Sequence, residues 1–560
     1  MIRVEELHIV DEAGRAVLDR VSLDIAPGER VAVVGESGSG KTTLALALLG
    51  EINPGLRVAG GRVVVDGQDV LGLTVGALRS YRRRTVAYLP QDPASALTPT
   101  LRVRRQLAEL ATDRSDEALV RRLAGVGLPE DPALLRRYPH QFSGGQQQRL
   151  ALARISAGDP AVLVVDEPTT GLDAIARNLV LERVDELVTR RGSSLLLVTH
   201  DLSAAGLVAD RLVVLRGGVV REAGPLAQVL RQPEDPYTRE LISAVPTLAD
   251  LRLRGLTIPV QRTAGTSATA GTSGTAGTSA KDEKAPDTVQ DGKGGQAPAA
   301  EPLLRVDGLR AAHRQGGRSR TVVEGVSFDL AAGECLALLG VSGSGKTTVA
   351  RCVSGTHKPA AGTIRLEGQP LAPGIRERTI GERRRIQVIP QHSAGSLNPR
   401  RTVGAAVTRP LRLLRGMTRA EAAAELARLL DLVELPPQVA DHYPRQLSGG
   451  QCQRVTIARA LAADPSVLIC DEMTSSLDTR VQARVLDLVT RLRHELGLAV
   501  IVITHDLGVL ARVADRVLAL HEGAVCEEGP VGRVLGAPEH PWTRSLVEAS
   551  AAGEALSSSR

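Results

Sequence analysis

The chain carries one set of glycine-, acid- and histidine-bearing segments twice, in the same order and at the same spacing. Gly35-Glu36-Ser37-Gly38-Ser39-Gly40-Lys41-Thr42 returns as Gly340-Val341-Ser342-Gly343-Ser344-Gly345-Lys346-Thr347. Ser143-Gly144-Gly145-Gln146 returns as Ser448-Gly449-Gly450-Gln451, Asp166-Glu167 as Asp471-Glu472, and Thr199-His200-Asp201 as Thr504-His505-Asp506. Each shift is 305 positions (340 − 35, 448 − 143, 471 − 166, 505 − 200). Internal self-similarity decides the architecture before any local signal does. It implies two copies of one domain, residues 1–250 and 301–560, joined by residues 251–300.

The joining segment holds the small-residue tract Ala264–Ser279 and then the charged, polar run Lys281–Gln296. Neither has enough apolar area to offset chain entropy, so a flexible linker is expected. A coil of about 45 residues reaches roughly 35–40 Å, enough to let two domains face each other.

Within each copy, short apolar runs alternate with helical stretches. Arg30–Gly35, Ala161–Asp166 and Ser194–His200 read as buried strands, and Lys41–Leu49 as a helix. Leu336–Gly340, Val467–Asp471 and Ala499–His505 match them in the second copy. Continuous apolar strands between helices imply an α/β fold with a mostly parallel sheet covered on both faces. Residues 101–137 and 412–435 carry Leu, Ala and Arg at helical spacing and read as a helical subdomain inserted into each copy.

The pattern Gly-x-x-x-x-Gly-Lys-Thr between a strand and a helix is a phosphate cradle. Its glycines let backbone N–H groups converge on oxygens, and the helix N-terminus adds a positive dipole. Gly35, Ser37, Gly38, Ser39, Gly40, Lys41, Thr42 and Thr43 form one candidate cradle. Gly340, Ser342, Gly343, Ser344, Gly345, Lys346, Thr347 and Thr348 form the other. The lysines suit β- and γ-phosphates, and the hydroxyls of Thr42 and Thr347 suit Mg2+. Asp166 and Asp471 end apolar strands, where a carboxylate holds the metal beside the loop hydroxyl. Glu167 and Glu472 follow at once, placed to orient an attacking water. His200 and His505 also end strands and suit a γ-phosphate contact. Gln91 and Gln391 offer neutral amides to metal or water. Ser143, Gly144, Gly145 and Gln146, with Ser448, Gly449, Gly450 and Gln451, open helices and form a further anion-binding surface. Two phosphate-reading surfaces per domain suggest a head-to-tail pair, each ATP gripped by one copy's glycine loop and the other copy's Ser-Gly-Gly-Gln.

The net charge of +6 on 560 residues gives no argument for nucleic acid. No run of about 18 apolar residues occurs, so no spanning helix is expected. Five scattered cysteines without a C-x-x-C pair fit a reducing compartment.

These segments, in this order, resemble the ATP-binding cassette ATPases, with Asp173 and Asp478 at the D-loop positions. Gln91–Pro99, Gln391–Pro399 and the tails Asp235–Leu241 and His540–Leu546 resemble the oligopeptide, dipeptide and nickel uptake branch. That resemblance implies an ATPase on the cytoplasmic face of the cell membrane. It would drive two integral-membrane permease subunits fed by an extracytoplasmic solute-binding protein. An exporter motor, or a soluble tandem cassette acting on ribosomes, are the alternatives. The sequence departs from the branch in its aromatic residues: no Phe, Tyr or Trp lies between Met1 and Lys41. Arg15 and Arg320, at the same 305 spacing, are candidates for stacking on adenine. No cysteine follows Tyr237 before the linker or Trp542 before the end, so no iron–sulfur cluster is expected. Met473 stands where the first copy has Pro168, from which only a packing change is expected.

Overall fold

The computed structural model describes residues 1–248, 250–253, 301–315, 318–341, 343–474 and 477–559. The linker expectation from residue 254 to 300, and the Ser342 assignment, lie outside these residues.

Each half is built on a six-stranded sheet. In the first half the strand order is Val219–Pro225, Arg211–Arg216, Arg30–Val34, Ser194–Val198, Val162–Asp166, Val86–Leu89. All neighbours are parallel except the first pair, which is antiparallel. The second half repeats this order with Ala524–Pro530, Arg516–His521, Cys335–Leu339, Ala499–Thr504, Val467–Asp471 and Ile386–Ile389. The continuous apolar runs are explained by burial on both faces. Val31, Val33, Val164 and Leu196 join one apolar cluster, while Ala32, Leu163, Val165, Leu195 and Leu197 join another. Alternate residues of one strand therefore serve two cores.

The first of those cores is closed by an antiparallel sheet that the sequence reading did not anticipate. It runs Ala16–Ile25, Ile2–Asp11, Leu56–Val65, Gln68–Asp69, with Ile2, Val4, Leu7 and Ile9 buried. The helical subdomains contain Val103–Leu110 with Asp116–Gly125, and Val403–Leu414 with Arg419–Leu432. The second begins at Val403, nine positions before the expected 412 (412 − 403), because Thr402 caps the helix by accepting from Ala405 N–H at 3.3 Å. The helix then continues through Pro410.

The tails cross between the halves. The C-terminal helix Pro541–Ser559 packs on Ala174–Arg191 and Leu202–Val208 of the first half, and Ala549 accepts a 2.8 Å bond from Asn178. In return, the first half's tail, ending in Asp250–Leu253, packs on Leu507–Val513 of the second. Leu251 and Ala174 share an apolar cluster with Leu510, Leu507 and Leu546.

Candidate active sites

The glycine loops connect Arg30–Val34 to Lys41–Ala47, and Cys335–Leu339 to Lys346–Val353. Each helix starts after a glycine in the left-handed region, Gly40 at φ 101° and Gly345 at φ 102°. A Cβ on Gly40 would lie 2.8 Å from the Val17 carbonyl, so no larger residue fits. Lys41 Nζ donates to the carbonyls of Gly35 (2.7 Å) and Glu36 (2.8 Å), and Lys346 Nζ to those of Gly340 (2.6 Å) and Val341 (2.9 Å). The ammonium thus sits inside the curl of the loop. Ser39 Oγ and Ser344 Oγ are buried there without a hydrogen-bond partner. A buried hydroxyl of that kind fits a phosphate oxygen.

The acid pairs follow the Val162–Asp166 and Val467–Asp471 strands. Glu167 and Glu472 both adopt left-handed backbone, at φ 46° and 44°. Their N–H groups are tied to Val198 and Ile503 carbonyls at 2.8 and 2.9 Å. A non-glycine residue held in that region costs of order 1–3 kcal/mol, which these backbone bonds and the surrounding turn must offset. The turn aims each glutamate at the strand-end histidine and the loop glutamine. Glu167 accepts from Gln91 Nε2 (3.0 Å) and from Thr170 Oγ1 (3.1 Å), and pairs with His200 Nδ1 (3.2 Å). Glu472 accepts from Gln391 Nε2 (2.6 Å) and pairs with His505 Nδ1 (3.5 Å). Thr347 Oγ1 donates to Asp471 at 3.2 Å, and Asp166 keeps one buried carboxylate oxygen without a partner. That all-oxygen set matches a hard divalent cation.

The electrostatics separate the adjacent acids. Burial raises Asp166 above its ordinary value against the Thr42 hydroxyl, and raises Asp471 against Thr347. Burial also pushes Glu167 upward, but the His200 bond and charge and Lys41 outweigh it and hold the carboxyl below its usual range. The His505 bond, ahead of opposing burial, holds Glu472 low as well. Burial works against a charged His200, and its pair with Glu167 more than offsets this, leaving it raised. The two carboxyls of each pair are thus shifted in opposite directions, the aspartate upward and the glutamate downward. Lys41 and Lys346 are both lowered by burial. Among the carboxylates opposing that shift is one from the opposite half in each case, Asp478 for Lys41 and Asp173 for Lys346.

Each cleft is therefore completed from the other side of the molecule. Leu477 and Asp478 wall the first, and Gly171 walls the second. Asp173 and Asp478 also cap helices, accepting from Ala176 N–H (2.9 Å) and Val481 N–H (3.0 Å). The Ser-Gly-Gly-Gln segments are not brought to either cleft wall. Ser143, Gly144, Gly145, Ser448 and Gly449 are exposed, while Gly450 is buried against Val481. Each segment is a capping box. Ser143 accepts from Gln146 N–H while Gln146 Oε1 accepts from Ser143 N–H, and Ser448 and Gln451 repeat the pair. The Ser-x-x-Gln spacing carries that signal in the sequence.

The two arginines expected to stack on adenine differ in their surroundings. Arg15 turns away to Asp11 at 2.7 Å, whereas Arg320 lines the second cleft. Beside it stands His313, unnoticed in the sequence, whose Nε2 lies 3.2 Å from Thr348 Oγ1. Its 305 spacing from His8 (313 − 8) was the available signal. Met473 is buried in the apolar core.

Residues 18–170 and 323–475 match the family described as ABC transporter. The chain belongs to the ABC transporter family. It is an ATP-binding, ATP-hydrolysing subunit with two cassettes. Residues 221–271 further match the oligopeptide/dipeptide transporter C-terminal region. The glutathione import ATP-binding protein GsiA of Escherichia coli strain K12 is 37% identical over 98% of this chain and 89% of its own length. The protein of the same name in Salmonella choleraesuis is 37% identical over 94% of this chain and 85% of its own. Among solved structures, a dimeric ATP-binding cassette, MJ0796, bound to ADP and Pi is 31% identical, covering 41% of this chain and 99% of that chain at TM-score 0.38. Among the described residues no helix is long and apolar enough to cross a membrane.

Proposed function

We propose that this chain is the fused motor of an importer for peptides or a glutathione-like solute. It would work from the cytoplasmic face of the membrane on two integral-membrane permeases served by an extracytoplasmic solute-binding protein. The observation that carries the motor reading is the completion of each cleft in trans, with Leu477 and Asp478 walling the cleft of Lys41 and Gly171 walling that of Lys346. Import is supported by the relatives named for glutathione import and by the oligopeptide/dipeptide match.

The site residues take the following roles. The glycine-loop amides, Ser39, Ser344, Lys41 and Lys346 hold the triphosphate, and the lysines leave the loop carbonyls to reach it. Thr42, Asp166 and Gln91, with Thr347, Asp471 and Gln391, would hold Mg2+, which would neutralise phosphate charge. Glu167 and Glu472 accept a hydrogen bond from the attacking water and orient it for in-line attack. His200 and His505 keep those carboxylates aligned and reach the terminal phosphate. Ser448 and Ser143 lie exposed before closure; closing the halves carries Ser448 to the first triphosphate and Ser143 to the second. Because the clefts are formed by both halves, that closure is the movement passed to the permeases.

The test is reconstitution of the chain with its permeases in vesicles. ATP-dependent accumulation of glutathione or a short peptide in the inward direction, lost in the double variant Glu167→Gln/Glu472→Gln, supports the proposal. ATP-driven movement outward, or ATPase activity indifferent to permeases, refutes it.

A further inference from the structure

Glu36 follows the first glycine of its loop and is held from three sides. Its carbonyl accepts from Lys41 Nζ at 2.8 Å, its N–H donates to the Tyr237 hydroxyl at 3.1 Å, and its carboxylate accepts from Arg480 at 2.6 Å. Arg480 belongs to the opposite half, as the second residue of the Thr479–Leu496 helix. Its side chain is 11% exposed, and it also pairs with Glu240 in the first half's tail. The Tyr237 ring packs between Arg216 Cζ at 4.6 Å and Arg480 Cζ at 5.3 Å.

The second site has a different arrangement at the matching positions. There Glu36 becomes Val341 (36 + 305), Arg480 becomes Ile175 (480 − 305) and Tyr237 becomes Trp542 (237 + 305). Ile175 and Trp542 pack on the apolar cluster at the seam. His521, which replaces Arg216 (216 + 305), stacks on Trp542 at 5.2 Å. One seam is ionic and the other apolar.

That difference bears on the triphosphate. A carboxylate in the glycine loop repels the incoming phosphates unless a cation cancels it. At the first site the cation comes from across the seam. Its backbone is also connected: Asp478, two residues earlier, walls the same cleft, and Thr479 Oγ1 donates to the His200 carbonyl at 3.2 Å. Val481, one residue later, is the side chain on which Gly450 packs so closely that a Cβ there would approach it to 2.5 Å.

We propose that Arg480 is a positioning residue acting in trans on the first ATP site alone. It cancels the Glu36 carboxylate and ties the first glycine loop to the helix that supports the second half's Ser-Gly-Gly-Gln segment. The two sites are therefore unequal in their coupling, even though their catalytic clusters match. This rests on the first glycine loop being a triphosphate cradle.

The experiment uses the full chain carrying Glu472→Gln, so that turnover reports the first site, and measures KM and kcat for MgATP. Arg480→Ile leaves the Glu36 carboxylate unpaired and raises KM about three- to tenfold at an intermediate local dielectric. Arg480→Ile/Glu36→Val installs the residue types that stand at the matching positions of the second site, Ile175 and Val341, and returns KM to within about twofold of the parent. Glu36→Val alone leaves a cation near the phosphates and lowers KM, which keeps the proposal testable should Arg480→Ile fail to fold. An unchanged KM in Arg480→Ile, a double variant no better than the single, or a raised KM in Glu36→Val overturns it. Lys41→Ala in the same background separates the two layers. Loss of turnover there upholds the cradle and leaves the Arg480 series decisive, whereas retained turnover removes the cradle assignment itself.

Discussion

Gly508 gives the sharpest handle on how the halves are joined. It lies in the Leu507–Val513 helix, and a Cβ there would sit 2.2 Å from the Pro246 carbonyl oxygen and 2.5 Å from its carbon. Both atoms are backbone of the opposite half's tail, so the tail must move. Gly508→Ala therefore splits into two effects of opposite sign. Within the helix, alanine is favoured over glycine by about 1 kcal/mol. Across the seam, displacement of Pro246 and Thr247 pulls out Leu251, which is 0% exposed. Re-exposing one such leucine costs about 1.5–3 kcal/mol. The coupling between the halves therefore falls by about 1.5–3 kcal/mol, the helix within the second half gains about 1 kcal/mol, and the whole chain loses about 0.5–2 kcal/mol. Hydrogen exchange on the full chain reads both: residues 245–253 lose protection by roughly ten- to 150-fold, while 507–513 keep theirs or gain. Unchanged protection at 245–253, or loss confined to 507–513, refutes the tail-crossing argument.

Further outcomes follow from the same geometry. Glu167→Gln/Glu472→Gln retains bound ATP while hydrolysis falls by about 10²–10⁴-fold, the usual contribution of a positioned base; phosphate release and filter-retained nucleotide measure the two separately. Removing Mg2+ with a chelator stops phosphate release, and single-turnover mixing with and without the metal checks it. Ser448→Ala removes a helix cap and costs about 1 kcal/mol by denaturant titration, yet on the proposed closure, which would bring the same hydroxyl to the triphosphate, it lowers ATP turnover far more than that loss explains.

The convergence of the candidate site residues is legible in the sequence because they sit at strand ends and loop starts, where sequence position fixes spatial position. Asp166-Glu167, His200 and Gln91 end neighbouring parallel strands, so their convergence follows from the strand order. The sequence reading did not resolve the antiparallel sheet. Its strands alternate only partly, with register shifts between Val4 and Leu7 and again between Leu7 and Ile9 that break the two-residue period. The start of the Val403–Leu414 helix was hidden by Pro410, which reads as a terminator although the helix continues through it. The trans contacts were out of reach for another reason. Nothing local relates Glu36 to Arg480, 444 positions away, and the pair is absent from the other copy.

The central claim is that each triphosphate is enclosed by both halves. The direct measurement is a structure of the Glu167→Gln/Glu472→Gln chain with MgATP. The account predicts Ser448 Oγ within hydrogen-bond reach of the terminal phosphate held by Lys41, and Ser143 Oγ likewise opposite Lys346. Two nucleotides each touched by one half alone, with both serines still exposed, would contradict it.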